Sequence, residues 1–221
     1  PVIVSSTLVA QDDNLIEWSR RLNSGKKGAK TTIREAAPLA SWGKQLQEKV
    51  RSGEDVVLPA IAYYSSQRLS LSQKNHGLRN ENILAKSRTA AYSDCLSASV
   101  SSFAQLELWL YRTTLAMLQS LSSEKQAEQF ASLLRGIAVP VEVALREEGW
   151  SDLKYSFALG ELSMSHADHG ELPIGMLSDG VRAVTSLIAD LALKCVRLNP
   201  GLGEQAPLMT PGIVLIDEVD L

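Results

Sequence analysis

Four large aliphatic residues in a row, Ile213-Val214-Leu215-Ile216, stand between Gly212 and the acids Asp217 and Glu218. A run this short and this apolar suits a strand covered on both faces, the situation inside a mainly parallel sheet flanked by helices. Open α/β sheets bind their ligands at the carboxyl ends of their strands. The expectation is therefore a buried strand that delivers Asp217 and Glu218 to a functional edge. Two adjacent carboxylates there suit nucleotide hydrolysis. One can hold Mg²⁺, largely through water, and the other can orient and polarise an attacking water. The alternative is a buried strand that ends in two solvated acids.

A second apolar run, Val56 to Tyr64, reads as another strand buried on both faces, followed by the polar loop Ser65-Ser66-Gln67-Arg68. Ahead of it, Val2 to Ala10, Leu15 to Leu22 and Lys30 to Arg34 read as an antiparallel β region. Pro38 to Arg51 reads as a helix with Leu39, Trp42, Leu46 and Val50 on one face and Gly53 as its stop. From Ser87 to Glu148 glycine is scarce and the pattern is helical. Phe103, Leu106, Leu110, Leu115 and Leu118 form a stripe, Ser123 with Gln126 fits a capping box, and Pro140 breaks or kinks the last part. Asp152 to Leu162 is strand-like again, and His166 to Gly170 is a polar turn. Val181, Val184, Leu187, Ile188, Leu191 and Cys195 mark an amphipathic helix, and Asn199 to Pro211 reads as a loop. The fold class is α/β. Its parts are a β-rich lobe over 1–72, a helical lobe with a returning strand over 73–172, and a helix with the last strand over 173–221.

The segment Leu177-Ser178-Asp179-Gly180-Val181-Arg182 opens that amphipathic helix. Ser178 is a good N-cap, and Gly180 leaves the backbone open to close approach. The free N–H groups and partial positive charge of a helix start can receive phosphate oxygens. Ser-x-Gly before a helix is also a common structural cap.

Composition narrows the partners. Hydrophobic residues make up 45% of the 221, enough for a substantial core, and a formal charge of −3 gives no whole-molecule basic field for nucleic acid. Cys95 and Cys195 stand alone, which fits a reduced, cytoplasmic protein. No run of about 20 apolar residues exists to span a membrane. The chain begins at Pro1 and stops at Leu221 just after an acidic cluster, so it reads as a piece of something longer.

Order and spacing of these parts resemble an ABC-type ATPase head. Leu58 to Tyr64 with Arg68-Leu69 resembles the central strand of bacterial AAA-family, RecF-like ATPases. Ser87-Arg88 with Tyr92-Ser93-Asp94-Cys95-Leu96 resembles the start of their helical insertion. Leu177-Ser178-Asp179-Gly180 resembles the signature loop, and Thr210 to Leu221 the Walker B strand. This branch includes ATPases of anti-phage defence systems, of the Septu type and retron-associated. The resemblance implies a P-loop NTPase class fold, ATP and Mg²⁺ as cofactors, and a dimer of two heads around ATP. It also implies nucleic acid and a nuclease effector as further partners. It makes Asp217 the magnesium residue and Glu218 the catalytic base. Ser178 and Gly180 would touch the γ-phosphate held by a second copy, with Asp179 in place of the glycine of transporter signatures. Gln67 would be the Q-loop glutamine.

The resemblance also implies parts that the 221 residues lack: a phosphate loop ahead of the first strand, and a D-loop and switch histidine after Leu221. No G-x-x-x-x-G-K-[ST] phosphate loop exists in them. Gly25 to Thr32 contains Gly, Lys and Thr without the triplet, and reads as a hairpin turn. The basic residues Arg20, Arg21, Lys26, Lys27 and Lys30 read as a solvated hairpin, with DNA contact as the sharper alternative. His166 and His169 have metal-like spacing but no visible third ligand.

Overall fold

Val2–Val9 (β1) and Leu15–Gly25 (β2) pair antiparallel, from Val2 opposite Leu22 to Val9 opposite Leu15. Gly28–Thr31 (β3) returns along β2, with Gly25 opposite Gly28. β2 and β3 are thus antiparallel neighbours, and residues 28–31 of the Gly25–Thr32 reading are strand. The third strand is shorter at its end than the Lys30–Arg34 expectation, for a local reason. Thr32 donates its N–H to the Arg21 carbonyl (2.8 Å) and accepts the Arg21 N–H on its hydroxyl (3.0 Å). Arg20 Nε donates to the Thr32 carbonyl (3.2 Å), and the chain then turns into a 3-10 turn at Arg34–Ala36. The helix Ala37–Ser52 (α1) follows, with Pro38 in its first turn and Gly53 closing it at φ 80°. Leu39, Trp42, Leu46 and Val50 are the half-buried positions of this helix, on one face as the spacing requires.

This computed structural model describes residues 2–9, 15–25, 28–65, 87–93, 95–96 and 103–217. They fall into two compact units, Pro1–Val56 and Val57–Leu221. In the first unit Ile16 is the one fully buried hydrophobic residue among those described.

The second unit is mixed α/β. It holds the helices Phe103–Gln119 (α2), Glu124–Leu145 (α3), Asp179–Leu198 (α4) and Ala206–Met209 (α5). Trp150–Ser156 (β5), Glu161–His166 (β6) and Gly170–Pro173 (β7) form an antiparallel sheet. Ala60–Tyr64 (β4) and Gly212–Ile216 (β8) form a separate parallel pair. Leu106, Leu110, Ile137, Val141, Leu162, Met164, Val196 and Leu198 make the centre of the core.

Several expectations need correction. The buried face of α2 is Leu106, Trp109, Leu110 and Thr113, at i, i+3, i+4 and i+7, while Leu118 is 44% exposed. Ser123 is the N-cap of α3, but its hydroxyl caps nothing; its carbonyl takes the Gln126 and Ala127 amides instead. Pro140 does not end α3, which runs on to Leu145. Asp152 to Leu162 is two strands joined by a tight turn, with Gly160 at φ 76°. Residues 200–209, read as loop, form a 3-10 turn and then α5.

The inner face of α4 is also rotated from the aliphatic stripe. Its buried residues are Thr185, Ala189, Asp190, Ala192, Leu193, Cys195, Val196 and Leu198, and Val184 is exposed. Its neighbours set this face, and Thr185 meets Met164 of β6 (3.6 Å from Oγ1 to Sδ). α3 presents Gly136, where a Cβ would stand 2.9 Å from Val196 Cγ2.

Two tyrosines hold the start and end of β4. Tyr92 donates to the Pro59 carbonyl (2.6 Å), and its ionisation is pushed up to about 12, by burial first and then by Cys95, against a smaller lowering by Arg88. Tyr64 is raised too, by burial and then by Asp190. A tyrosine raised in the native state stabilises fully below its unfolded value near 10 and loses that contribution as pH climbs. The melting temperature is therefore expected to fall between about pH 10 and 12, and Tyr92→Phe to flatten the fall. The full slope is about 1.4 kcal/mol per pH unit for one tyrosine, an upper bound for the partly exposed Tyr92. Equal alkaline slopes for both proteins in a thermal-melt series would contradict it.

Candidate functional site

The carboxyl ends of β4 and β8 lie side by side, because the two strands are parallel and in register from Ala60 opposite Gly212 to Tyr64 opposite Ile216. The Asp217 amide continues the ladder by donating to the Tyr64 carbonyl (2.8 Å). Asp217 itself is exposed at that edge. At the other end, the Ala60 amide donates to the Pro211 carbonyl (2.7 Å). A side chain at position 212 is impossible there, since a Cβ would come 2.4 Å from the Ala60 carbonyl oxygen.

Asn199 anchors the approach to β4. This side chain, 3% exposed, acts as a substitute strand for Leu58. Its Oδ1 accepts the Leu58 N–H (2.8 Å), and its Nδ2 donates to the Leu58 carbonyl (2.9 Å) and to Thr210 Oγ1 (2.8 Å). Arg88 Nη2 donates to the same Oδ1 (2.9 Å), and Arg88 Nε to the Leu198 carbonyl. The first residue after α4 thus holds both strands, through Leu58 before β4 and Thr210 before β8.

The expectation of a strand buried on both faces holds for β4 only in part, and fails for β8. Leu58, Ala60 and Ala62 are buried, but Ile61 is 36% exposed. All of β8 is exposed, with Ile213 at 56% and Leu215 at 55%. The reason is its place in the sheet. α4 packs on β4, through Asp190 and Tyr64, and among the described residues no strand pairs with the other edge of β8.

Ser178 is the N-cap of α4. Its Oγ accepts the Val181 N–H at 3.4 Å, a long bond, and its carbonyl accepts the Arg182 N–H at 2.9 Å. Leu177 is buried and pins the turn, while Ser178, Asp179 and Gly180 are exposed. Arg182 pairs with Asp179 and reaches the Gly175 carbonyl. Nothing lies within 4 Å of where a Gly180 Cβ would be. Packing inside the chain does not require glycine here, at a helical position where glycine costs up to about 1 kcal/mol against alanine.

Ser178 and Gly180 stand at the start of α4, and Asp217 at the end of β8. Gly180 stands ten residues of helix, about 15 Å, from Asp190, the α4 residue that touches the end of β4. Gln67 and Glu218 lie outside the described residues, as do Lys26 and Lys27 of the basic hairpin.

The histidine pair is a packed turn. His166 and His169 stack at 4.6 Å between ring centroids, and Trp150 meets His166 edge-on. His166 Nδ1 accepts the Asp168 N–H (3.1 Å), so Nε2 carries the proton towards the Glu148 carbonyl (3.1 Å). Neither nitrogen is left for a metal. Among the described residues no group of three His, Cys, Asp or Glu side chains could hold one. No helix among them is long and apolar enough to cross a membrane.

One cluster escaped the sequence reading. Asp190, 4% exposed in the middle of α4, accepts from Tyr64 Oη (2.7 Å) and from Lys194 on the same oxygen. The Lys194 ammonium lies 5.8 Å from the Tyr64 ring centroid. Its sequence signal is an acid and a lysine four apart inside an apolar stretch. A search against protein-family models finds none that matches the chain.

Proposed function

We propose that this chain is part of an ABC-type ATPase head of the P-loop NTPase class, in the RecF-like branch, that works on ATP and Mg²⁺ as a dimer. The reading rests on one observation above the rest. β4 and β8 pair in parallel and in register, with Asp217 at their carboxyl edge. Asp217 would hold the metal through water, and Glu218 would act as base on the attacking water. The open first turn of α4 offers N–H groups and no side chain at Gly180, which suits the γ-phosphate of an ATP held by a second copy. In this reading closure of two heads on ATP drives a nuclease effector that acts on nucleic acid, as in anti-phage defence.

A second reading, a non-hydrolysing scaffold of the same shape, is favoured by one fact: the 221 residues contain no phosphate loop. Nothing in them supplies the backbone cradle and lysine that hold the phosphates. Isothermal titration of this chain with Mg²⁺ and ATP is expected to show no tight binding. A micromolar single site would mean that another segment cradles phosphate, and would overturn this account of the chain.

A further inference from the structure

A buried carboxylate is expensive, and a well-packed apolar residue of similar size often serves stability as well or better. Asp190 therefore needs a reason to sit in the middle of α4, at 4% exposure. Its contacts suggest one. A single oxygen, Oδ2, takes the Tyr64 hydroxyl at 2.7 Å and the Lys194 ammonium one helical turn on. Lys194 is itself 18% exposed and lies near the face of the Tyr64 ring. Tyr64 is held at both ends. Its side chain is bound to α4, and its carbonyl accepts the Asp217 amide.

We infer that Asp190 is a positioning residue: with Tyr64 and Lys194 it locks α4 to the carboxylate edge at one fixed point. Apolar contacts between a helix and a strand tolerate sliding, whereas a hydrogen bond to a charged oxygen is directional and short. α4 is continuous from Asp179 to Leu198, so fixing it at Asp190 also fixes its first turn, about 15 Å away. The lock joins the place where Asp217 stands to the place where Ser178 and Gly180 stand. Its functional meaning rests on the ATPase reading, since only then do both places touch nucleotide. The geometric part stands without it.

Amide hydrogen exchange on this chain tests the lock with no nucleotide present. Tyr64→Phe removes only the hydroxyl and is the mild variant. It is expected to speed exchange at the Asp217 amide about tenfold, the scale of one hydrogen bond to a charged group, with amides of α2 and α3 nearly unchanged. Asp190→Asn keeps an acceptor for the tyrosine and is expected to retain much of the parental protection. An unchanged Asp217 amide overturns the lock, and so does uniform acceleration across all helices, which is what a merely structural contact would give. In a longer protein that hydrolyses ATP, Tyr64→Phe is expected to lower kcat about tenfold with KM for ATP unchanged, because the partner half-site is displaced while ATP is held elsewhere. An unchanged kcat there overturns the positioning role. Failure of the ATPase reading is separately visible, as parental turnover in Glu218→Gln, and leaves the exchange result intact.

Discussion

Glu218→Gln, in a protein that joins this chain to a phosphate loop, is expected to leave ATP binding nearly unchanged and to slow turnover by roughly 10²-fold or more. The amide keeps the size of the carboxylate and some of its hydrogen bonding but cannot take a proton. Asp217→Asn is expected to fail differently. Asp217 stands exposed at the end of β8 with its amide bonded to the Tyr64 carbonyl, so in the ATPase reading its carboxylate is the group that faces a hydrated cation. Replacing it weakens magnesium-dependent binding before it affects the chemical step. Nucleotide binding and steady-state turnover measured side by side separate the two. Parental turnover in Glu218→Gln would remove the base from the mechanism.

Ser178→Arg is expected to abolish ATP-driven pairing and hydrolysis while leaving each head folded. The long side chain would stand at the first turn of α4, where nothing now fills the space beside Gly180. If the γ-phosphate joins two heads at that turn, ATP shifts monomers towards dimers by mass action, and the arginine blocks the joint. Loss of a structural cap predicts a different result. Removing an N-cap costs about 0.5–2 kcal/mol, and the long Ser178–Val181 bond argues for the low end. It would change no nucleotide-dependent mass. Sedimentation of Glu218→Gln with and without ATP, repeated with Ser178→Arg added, decides between them. Dimers that form with ATP in the double variant would reduce Ser178 to a cap.

The local signals were readable where one short-range rule dominated. Leu39, Trp42, Leu46 and Val50 predicted the covered face of α1, and Gly53 its end, because helix periodicity and a left-handed cap need no distant partner. Ser178 likewise marked the start of α4. Long-range choices were not readable. The covered face of α4 follows its neighbours, Gly136 of α3 against Val196 and Met164 of β6 against Thr185, so Thr185 turns inwards where periodicity favoured Val184. Asn199 looked like a loop residue, yet its amide stands in for a strand 141 residues away. The exposure of β8 was hidden for a related reason. Residue pattern reports how apolar a strand is, and covering depends on which elements pack over its faces. Within the candidate site, Asp217 and the start of α4 were legible, and the Asp190 cluster was not, because its partner Tyr64 is 126 residues away.

Gly212 deserves to be read as a ruler. Only a residue without a Cβ fits against the Ala60 carbonyl, so β8 can lie beside β4 in one alignment. A slip of one residue would drive Ile213 into that carbonyl. It would also move Asp217 by about 3.3 Å along the strand and turn its side chain to the opposite face. The location of the acid at the end of the strand is thereby measured from the glycine at its beginning, and inserting or deleting one aliphatic residue between residues 212 and 217 would misplace the carboxylate while leaving the strand wholly apolar.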